Sequence, residues 1–280
     1  MGAPEFISVG GLRTRVRLGG DPAGRPVVLL HGIGRSLEDW APQFDRLAEG
    51  NRLIAMDLPG FGHSQRRSET ATLPSFGRGV LATLDALGET RPVHLVGNSL
   101  GGGVCLAILG SAPERVASLV LVNSAGFGRQ VTYILRMLAV PGLGKHMLRR
   151  PSRLGLRHAE RALYATKSYA TPERVAHALE LGRLPGAADF MEETALALGT
   201  LRGAKPEWRR ELLVAARKQP KPMLIIWGDR DRILPPIQFE AARRAFPEAH
   251  SHMFEATGHM PMIERADEFA ALVREFHASL

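Results

Sequence analysis

Ser99 lies in Gly97-Asn98-Ser99-Leu100-Gly101, between the apolar run Val93-His94-Leu95-Val96 and a second apolar stretch from Val104 to Leu109. Gly-x-Ser-x-Gly between a strand and a helix throws the serine onto a sharp turn, with its hydroxyl raised above the sheet and the helix N-terminus aimed at it. Glycines at 97 and 101 let the helix and the neighbouring strand approach more closely than a β-carbon allows. A serine so placed is a candidate nucleophile. Its hydroxyl is weakly reactive at neutral pH, so it needs a base within hydrogen-bond reach and a third group to orient that base. Two downstream loops supply both. Met223–Gly228 reads as a strand that ends in Asp229-Arg230-Asp231, and His250–Phe254 as one that leads into Gly258-His259-Met260-Pro261. His259 is the candidate base, and Asp231 or Asp229 the candidate orienting acid. The chemistry such a trio performs is acyl transfer to water through a covalent acyl-enzyme.

The elements that must carry these residues alternate between strand and helix. Strands are expected at Phe6–Val9, Thr14–Leu18, Val27–Leu30, Leu53–Met56, Val93–Val96, Leu119–Val122, Met223–Trp227 and His250–Phe254. The first two read as an antiparallel edge, and the later apolar runs as a buried parallel sheet. Helical patterns cover Leu73–Leu87, Leu100–Ala112, Pro236–Phe246 and Ala266–Leu280. The pattern predicts a doubly wound, mostly parallel α/β sheet, in which ligands bind beyond the carboxyl ends of the strands. From residue 127 to 221 the alternation gives way to helices broken by prolines, which predicts an inserted cap. It divides the core into residues 1–126 and 222–280. The first cap helix carries Val131, Ile134, Leu135 and Leu138 on one stripe, suited to other cap helices and to an apolar acyl pocket alike.

With these residues in view, the chain resembles the α/β-hydrolase superfamily, through His31-Gly32-Ile33-Gly34, Asp57-Leu58-Pro59-Gly60-Phe61-Gly62-His63-Ser64, the serine turn, and the Gly-Asp-Arg-Asp and Gly-His-Met-Pro loops. The order Ser99, Asp231, His259 is that of the superfamily. The resemblance implies Asp231 as the acid, which leaves Asp229 a loop-capping or salt-bridge role. It also implies backbone N–H groups of Ile33 and Leu100 as the oxyanion donors, and it gives His31 a structural role, with His63 and Ser64 stabilising their own turn. A serine rather than an aspartate at the turn argues against haloalkane dehalogenases and epoxide hydrolases. The meta-cleavage-product carbon–carbon hydrolases share a Gly-Asn-Ser turn and use an asparagine like Asn98 near the substrate. They commonly carry a tryptophan where this chain has Met260, and their oxyanion loop is longer. In that reading a cap arginine, Arg183 or Arg157, would receive an acidic dienoate. Asn98, Trp40, Met260 and Gly32 are the candidate substrate-binding residues. The expected function is hydrolysis of small to medium, moderately apolar carboxylic esters. The alternatives are carbon–carbon bond hydrolysis and, outside catalysis, a small-molecule receptor on the same fold.

Composition narrows the partners. At 280 residues, with 45% hydrophobic residues, the chain is long enough for one large domain with an insertion. Its net charge of +8 is concentrated in the insertion, where Arg129–Lys221 holds 18 basic and 8 acidic residues. Such a patch suits acidic substrates, an anionic membrane surface, or plain solvation. No nucleic-acid-binding motif accompanies it. His250 and His252 share a strand face, yet no cysteine or third ligand stands at metal-site spacing, so neither a metal nor a cofactor is expected. Cys105 reads as a small buried filler. The N-terminus lacks a basic, apolar leader and no run approaches membrane-spanning length, which leads to the expectation of a cytoplasmic protein.

Overall fold

A computed structural model describes residues 2–280. In chain order, β1 (Glu5–Val9), β2 (Leu12–Gly20), β3 (Arg25–Leu30), α1 (Ala41–Leu47), β4 (Asn51–Met56), α2 (Leu73–Ala86), β5 (Val93–Asn98), α3 (Leu100–Ser111) and β6 (Val116–Val122) build the first part. Then come α4 (Tyr133–Leu138), α5 (Leu143–Leu148), α6 (Arg153–Leu163), α7 (Pro172–Gly182), α8 (Ala187–Leu198) and a hairpin of β7 (Gly199–Thr200) and β8 (Gly203–Ala204). The chain ends with α9 (Pro206–Arg217), β9 (Met223–Gly228), α10 (Ile237–Ala245), β10 (His250–Phe254), α11 (Pro261–Glu264) and α12 (Ala266–Ala278). Every strand expected from the sequence is present, with its ends moved by no more than three residues.

The main sheet has the order β1-β2-β4-β3-β5-β6-β9-β10. β2 runs antiparallel to both its neighbours, and every other pair is parallel. The alternation of side chains along the strands divides the core into two layers. Val28 and Leu30, Leu119 and Leu121, and Ile225 and Trp227 pack with α2, α3, α9 and α10 on one face. Val27 and Leu29, Val120 and Val122, and Leu224 and Ile226 pack with α1 and α12 on the other. Burial on both faces explains why the parallel strands read as unbroken apolar runs.

From β3 the chain winds to β4 on one side and later to β5 on the other, so the strand order reverses between β3 and β5. A crevice opens beyond the carboxyl ends at such a point. The His31-Gly32-Ile33 loop and the Ser99 turn leave those two strands side by side, with Leu30 in register with Gly97.

The inserted stretch differs from its expected extent in one respect. Helix α9, placed in the cap by the sequence reading, lies on the core: Leu212 and Ala216 are buried in the layer that holds α3, and Phe127, at the other limit, stacks edge-on to Trp227. A β-carbon added at Gly110 of α3 would lie 2.8 Å from that of Ala215, so the glycine permits this close helix contact. The helices that roof the crevice are therefore α4 to α8.

Candidate active site

Ser99 holds φ 56° and ψ −116°, a conformation an L-residue adopts at a cost of about 1–3 kcal/mol. Its neighbours fix it there. Its N–H donates to Val122 O at 3.0 Å, and its carbonyl accepts from Ala125 N–H at 2.9 Å and from Gly102 and Gly103. The close approach expected of the glycines is present: a β-carbon at Gly101 would lie 2.3 Å from Leu30 O, and one at Gly97 2.4 Å from the Gly101 carbonyl.

His259 Nδ1 donates to Asp231 Oδ2 at 2.7 Å, and both residues are buried. The carboxylate is itself held on every side. Asp231 Oδ1 accepts the N–H groups of Ile233 and Leu234 at 2.7 and 3.0 Å, while Oδ2 also accepts Asn123 Nδ2 at 2.6 Å. With Nδ1 committed to the acid, Nε2 is the ring nitrogen left to exchange a proton. Ser99 and His259 line one cavity, and no hydrogen bond joins their side chains among the described residues. Contacts of this kind commonly tighten only when substrate is engaged. Asp229 instead caps its loop, accepting Thr257 N–H at 3.1 Å.

The N–H groups of Ile33 and Leu100 donate to nothing among the described residues, and the β-carbon of Ser99 lies 3.3 Å from where a Gly32 side chain would start. Two free donors thus flank the serine. His31 orients their loop: its Nδ1 bonds Gly32 O at 2.7 Å and its Nε2 accepts Leu58 N–H at 2.9 Å. Burial holds the His31 ring below its usual basicity, which suits the neutral form this pattern needs. Ser64 and His63 do more than brace their own turn. Ser64 Oγ accepts Arg15 N–H from β2 at 2.9 Å, and the His63 ring faces Glu180 of α7 at 3.4 Å.

The cavity above Ser99 measures about 770 Å³. Core loops give Gly32, Asn98 and Met260 to its wall, and the cap gives mainly apolar side chains, among them Leu135, Leu138, Leu156, Leu181 and Met191. Two expectations fail here. Trp40 is fully buried in the opposite layer against Phe269, because the short turn Leu37–Trp40 folds back toward α12, so it does not meet the cavity. Neither Arg157 nor Arg183 lines it; Arg183 opens with Arg153 onto a separate depression on the cap surface. Asn98 lines the cavity and also braces the base, donating through Nδ2 to His259 O at 3.0 Å and Val122 O at 3.2 Å. Arg35, two residues past Ile33, reaches the cap: its guanidinium pairs with Asp39 of the core and with buried Glu160 of α6.

Asn123 escaped the sequence reading. It stands one residue past β6 at φ 44°, a position asparagine tolerates better than most residues, and its place at a strand end beside the serine turn was the available signal. Burial pushes the Cys105 thiol well above its usual range, consistent with a filler role. Among the described residues no three His, Cys, Asp or Glu side chains are grouped to hold a metal ion, and no helix is long and apolar enough to cross a membrane.

Comparison with known proteins agrees with this geometry. The family profile of the alpha/beta hydrolase fold matches residues 25–266. A dihydrolipoyllysine-residue acetyltransferase component of an acetoin cleaving system from Pseudomonas putida is 34% identical over 269 residues, 95% of this chain and 67% of the relative. A 2-hydroxymuconate semialdehyde hydrolase from a Pseudomonas species is 31% identical, over 99% of this chain and 95% of its own. The crystal structure of a meta-cleavage product hydrolase superposes with a TM-score of 0.83 at 27% identity, covering 99% of this chain and 98% of that one. The eight-stranded sheet, the serine turn at its reversal point and these matches together make the chain a member of the alpha/beta hydrolase fold family, and a hydrolase.

Proposed function

We propose that this hydrolase cleaves carboxylic esters of apolar substrates through an acyl-enzyme on Ser99. In this reading His259 takes the Ser99 proton through Nε2, Asp231 holds the imidazole, and the N–H groups of Ile33 and Leu100 receive the charge that builds on the carbonyl oxygen. Donors fixed in advance stabilise the transition state more than the ground state, and each is worth roughly 3 kcal/mol in comparable sites. The observation that carries the proposal is the 2.7 Å His259–Asp231 contact beside a serine held on a strained turn. Ser99→Ala should lower kcat on p-nitrophenyl butyrate by at least about a thousandfold and abolish covalent labelling by a fluorophosphonate. Labelling of the variant at the wild-type rate would falsify the role of Ser99.

A second reading, hydrolysis of a carbon–carbon bond in a keto-dienoate, is the one the named relatives favour, and the Asn98-Ser99 turn is compatible with it. The cavity supports the ester instead. A dienoate carries a carboxylate, and burying it requires a cation to pair with it. Arg35, which lines the cavity, is already committed to Asp39 and Glu160, and Arg66 to Glu193; of the lining arginines only Arg13 has no carboxylate partner among the described residues, and its guanidinium lies over the Phe6 ring at the cavity edge formed by β2. Turnover of a keto-dienoate, followed by loss of its visible absorbance, that exceeds the best ester in kcat/KM would reverse the order of the two readings.

A further inference from the structure

Ser99 stands in the wall between two chambers of unequal size. The larger is the 770 Å³ cavity under the cap, and His259 borders it. The smaller measures about 80 Å³ and is walled by Leu73, Leu135, Ala195, Leu198, Trp208 and Leu234. Ile33 and Ser99 face both chambers; Leu100 faces only the smaller, and His259 does not border it. A single water-sized group needs roughly 10–15 Å³ of such space, so the smaller chamber admits a handful of heavy atoms.

The chemistry of the preceding section, on which this inference rests, assigns a tenant to each chamber. When the tetrahedral adduct on Ser99 Oγ breaks down, the leaving oxygen takes the proton held on His259 Nε2, and its bond to the carbonyl carbon breaks as the carbonyl re-forms. The leaving group must therefore lie on the side that His259 borders. The substituent that stays on the carbonyl carbon is directed away from it, past Ile33 and Leu100. We propose that the 80 Å³ chamber is the acyl pocket and the large cavity the leaving-group pocket, so that the substrates are short-chain acyl esters of bulky, apolar alcohols. Water then enters from the large cavity, gives a proton to His259 Nε2 and bonds to the carbonyl carbon; the bond from that carbon to Ser99 Oγ breaks as Oγ takes the proton back, and the short acid leaves.

This assignment keeps the expected cap stripe in the acyl pocket, through Val131 and Leu135, but gives the larger cavity to the leaving group, and two ester series test it on the wild-type protein. With p-nitrophenyl esters, kcat/KM should peak at propionyl or butyryl and fall at least tenfold by octanoyl. With acetates of alcohols from butanol to decanol it should rise with alcohol size. An optimum at octanoyl or longer, or indifference to the alcohol, overturns the assignment while leaving the ester reading intact. If no ester in either series is turned over and fluorophosphonate leaves Ser99 unlabelled, the ester reading fails and takes the assignment with it. Two variants probe the chamber from opposite directions: Trp208→Ala should move the acyl optimum to longer chains, and Ala195→Leu should move it to acetyl. An unmoved optimum in both, with labelling of Ser99 retained, also overturns it.

Discussion

In the proposed mechanism, the proton-transferring pair depends on Asn123, a residue that lines neither chamber. Its amide is one of four donors converging on Asp231, the others being Ile233 N–H, Leu234 N–H and His259. A hydrogen bond to a charged group contributes about 1.5–3 kcal/mol. Asn123→Ala should therefore lower kcat by about 10–100-fold, with a smaller change in KM, as measured on a single ester. Asn123→Asp should be worse, since it sets a second carboxylate against the first. Equal activity of the two variants would show that the amide does not orient the acid. At this scale the sequence was legible where the backbone chemistry is local: Ser99 stands on the strand-to-helix turn, His259 contacts Asp231, and the N–H groups of Ile33 and Leu100 find no acceptor among the described residues. It was opaque where position depends on a distant partner. Trp40 directly follows the oxyanion segment, but its side chain is claimed by α12, and nothing in its neighbourhood along the chain announces that.

Among the elements, the serine turn is the most constrained. Gly101 is the first point at which α3 meets the end of β3, and an added β-carbon would press on the carbonyl oxygens of Leu30 and His31 at 2.3 and 2.8 Å. Backbone atoms on both sides leave nothing that can swing aside. Gly101→Ala should thus cost several kcal/mol, read as a large drop in denaturant midpoint, or prevent folding outright. Gly103→Ala, two residues on, would press on the flexible end of Leu73 at 3.2 Å, with Ala125 Cβ at an ordinary 3.6 Å, and should fold with a small loss; a comparable loss in both would contradict this. The core elements were readable because burial on both faces writes a long apolar run. Helix α9 was not assigned correctly, because its stripe through Leu212 and Ala216 would look the same against a cap as against α3. A helix declares that it has a buried side without saying what covers it.

On the scale of the whole molecule, histidines at its two ends pull stability in opposite directions with pH. Near the amino ends of the strands, burial and the Arg25 charge push His94 down to about 4; burial, His94 and Arg25 push His277 to about 3. An unfolded histidine titrates near 6.5. The folded chain therefore refuses protons that the unfolded chain accepts, so this contribution is full above about pH 6.5 and is lost as pH falls toward 4 and below. At the cap, His177 behaves in the other sense. Its hydrogen bond to Glu38 raises it against the effect of burial, so that link stabilises below about pH 6.5 and weakens as pH rises through the raised value. With His31 also held down by burial, three depressed groups oppose one raised group. Thermal midpoints between pH 7 and 5, above the range of most carboxylates, should fall with acidification, and His277→Phe should flatten the slope. A wild-type midpoint that rises over this interval would contradict the balance.

One guanidinium gives the roof a mechanical hold on the loop beneath it. Arg35 stands two residues from the amide of Ile33, the proposed anion-stabilising donor, while gripping a carboxylate of α6, and both ends of that grip are sheltered from water. Raising α6 would mean either stranding a sheltered charge, which costs about 3–5 kcal/mol in comparable pairs, or dragging the amide out of register with the serine. Along α4 and α5, at the other edge of the roof, no ion pair joins lid to floor among the described residues, and the tie at the start of α4 is the backbone bond from Thr132 N–H to Ile233 O at 2.9 Å. A roof held by charge at one edge and by a neutral hydrogen bond at the other yields more easily at the second.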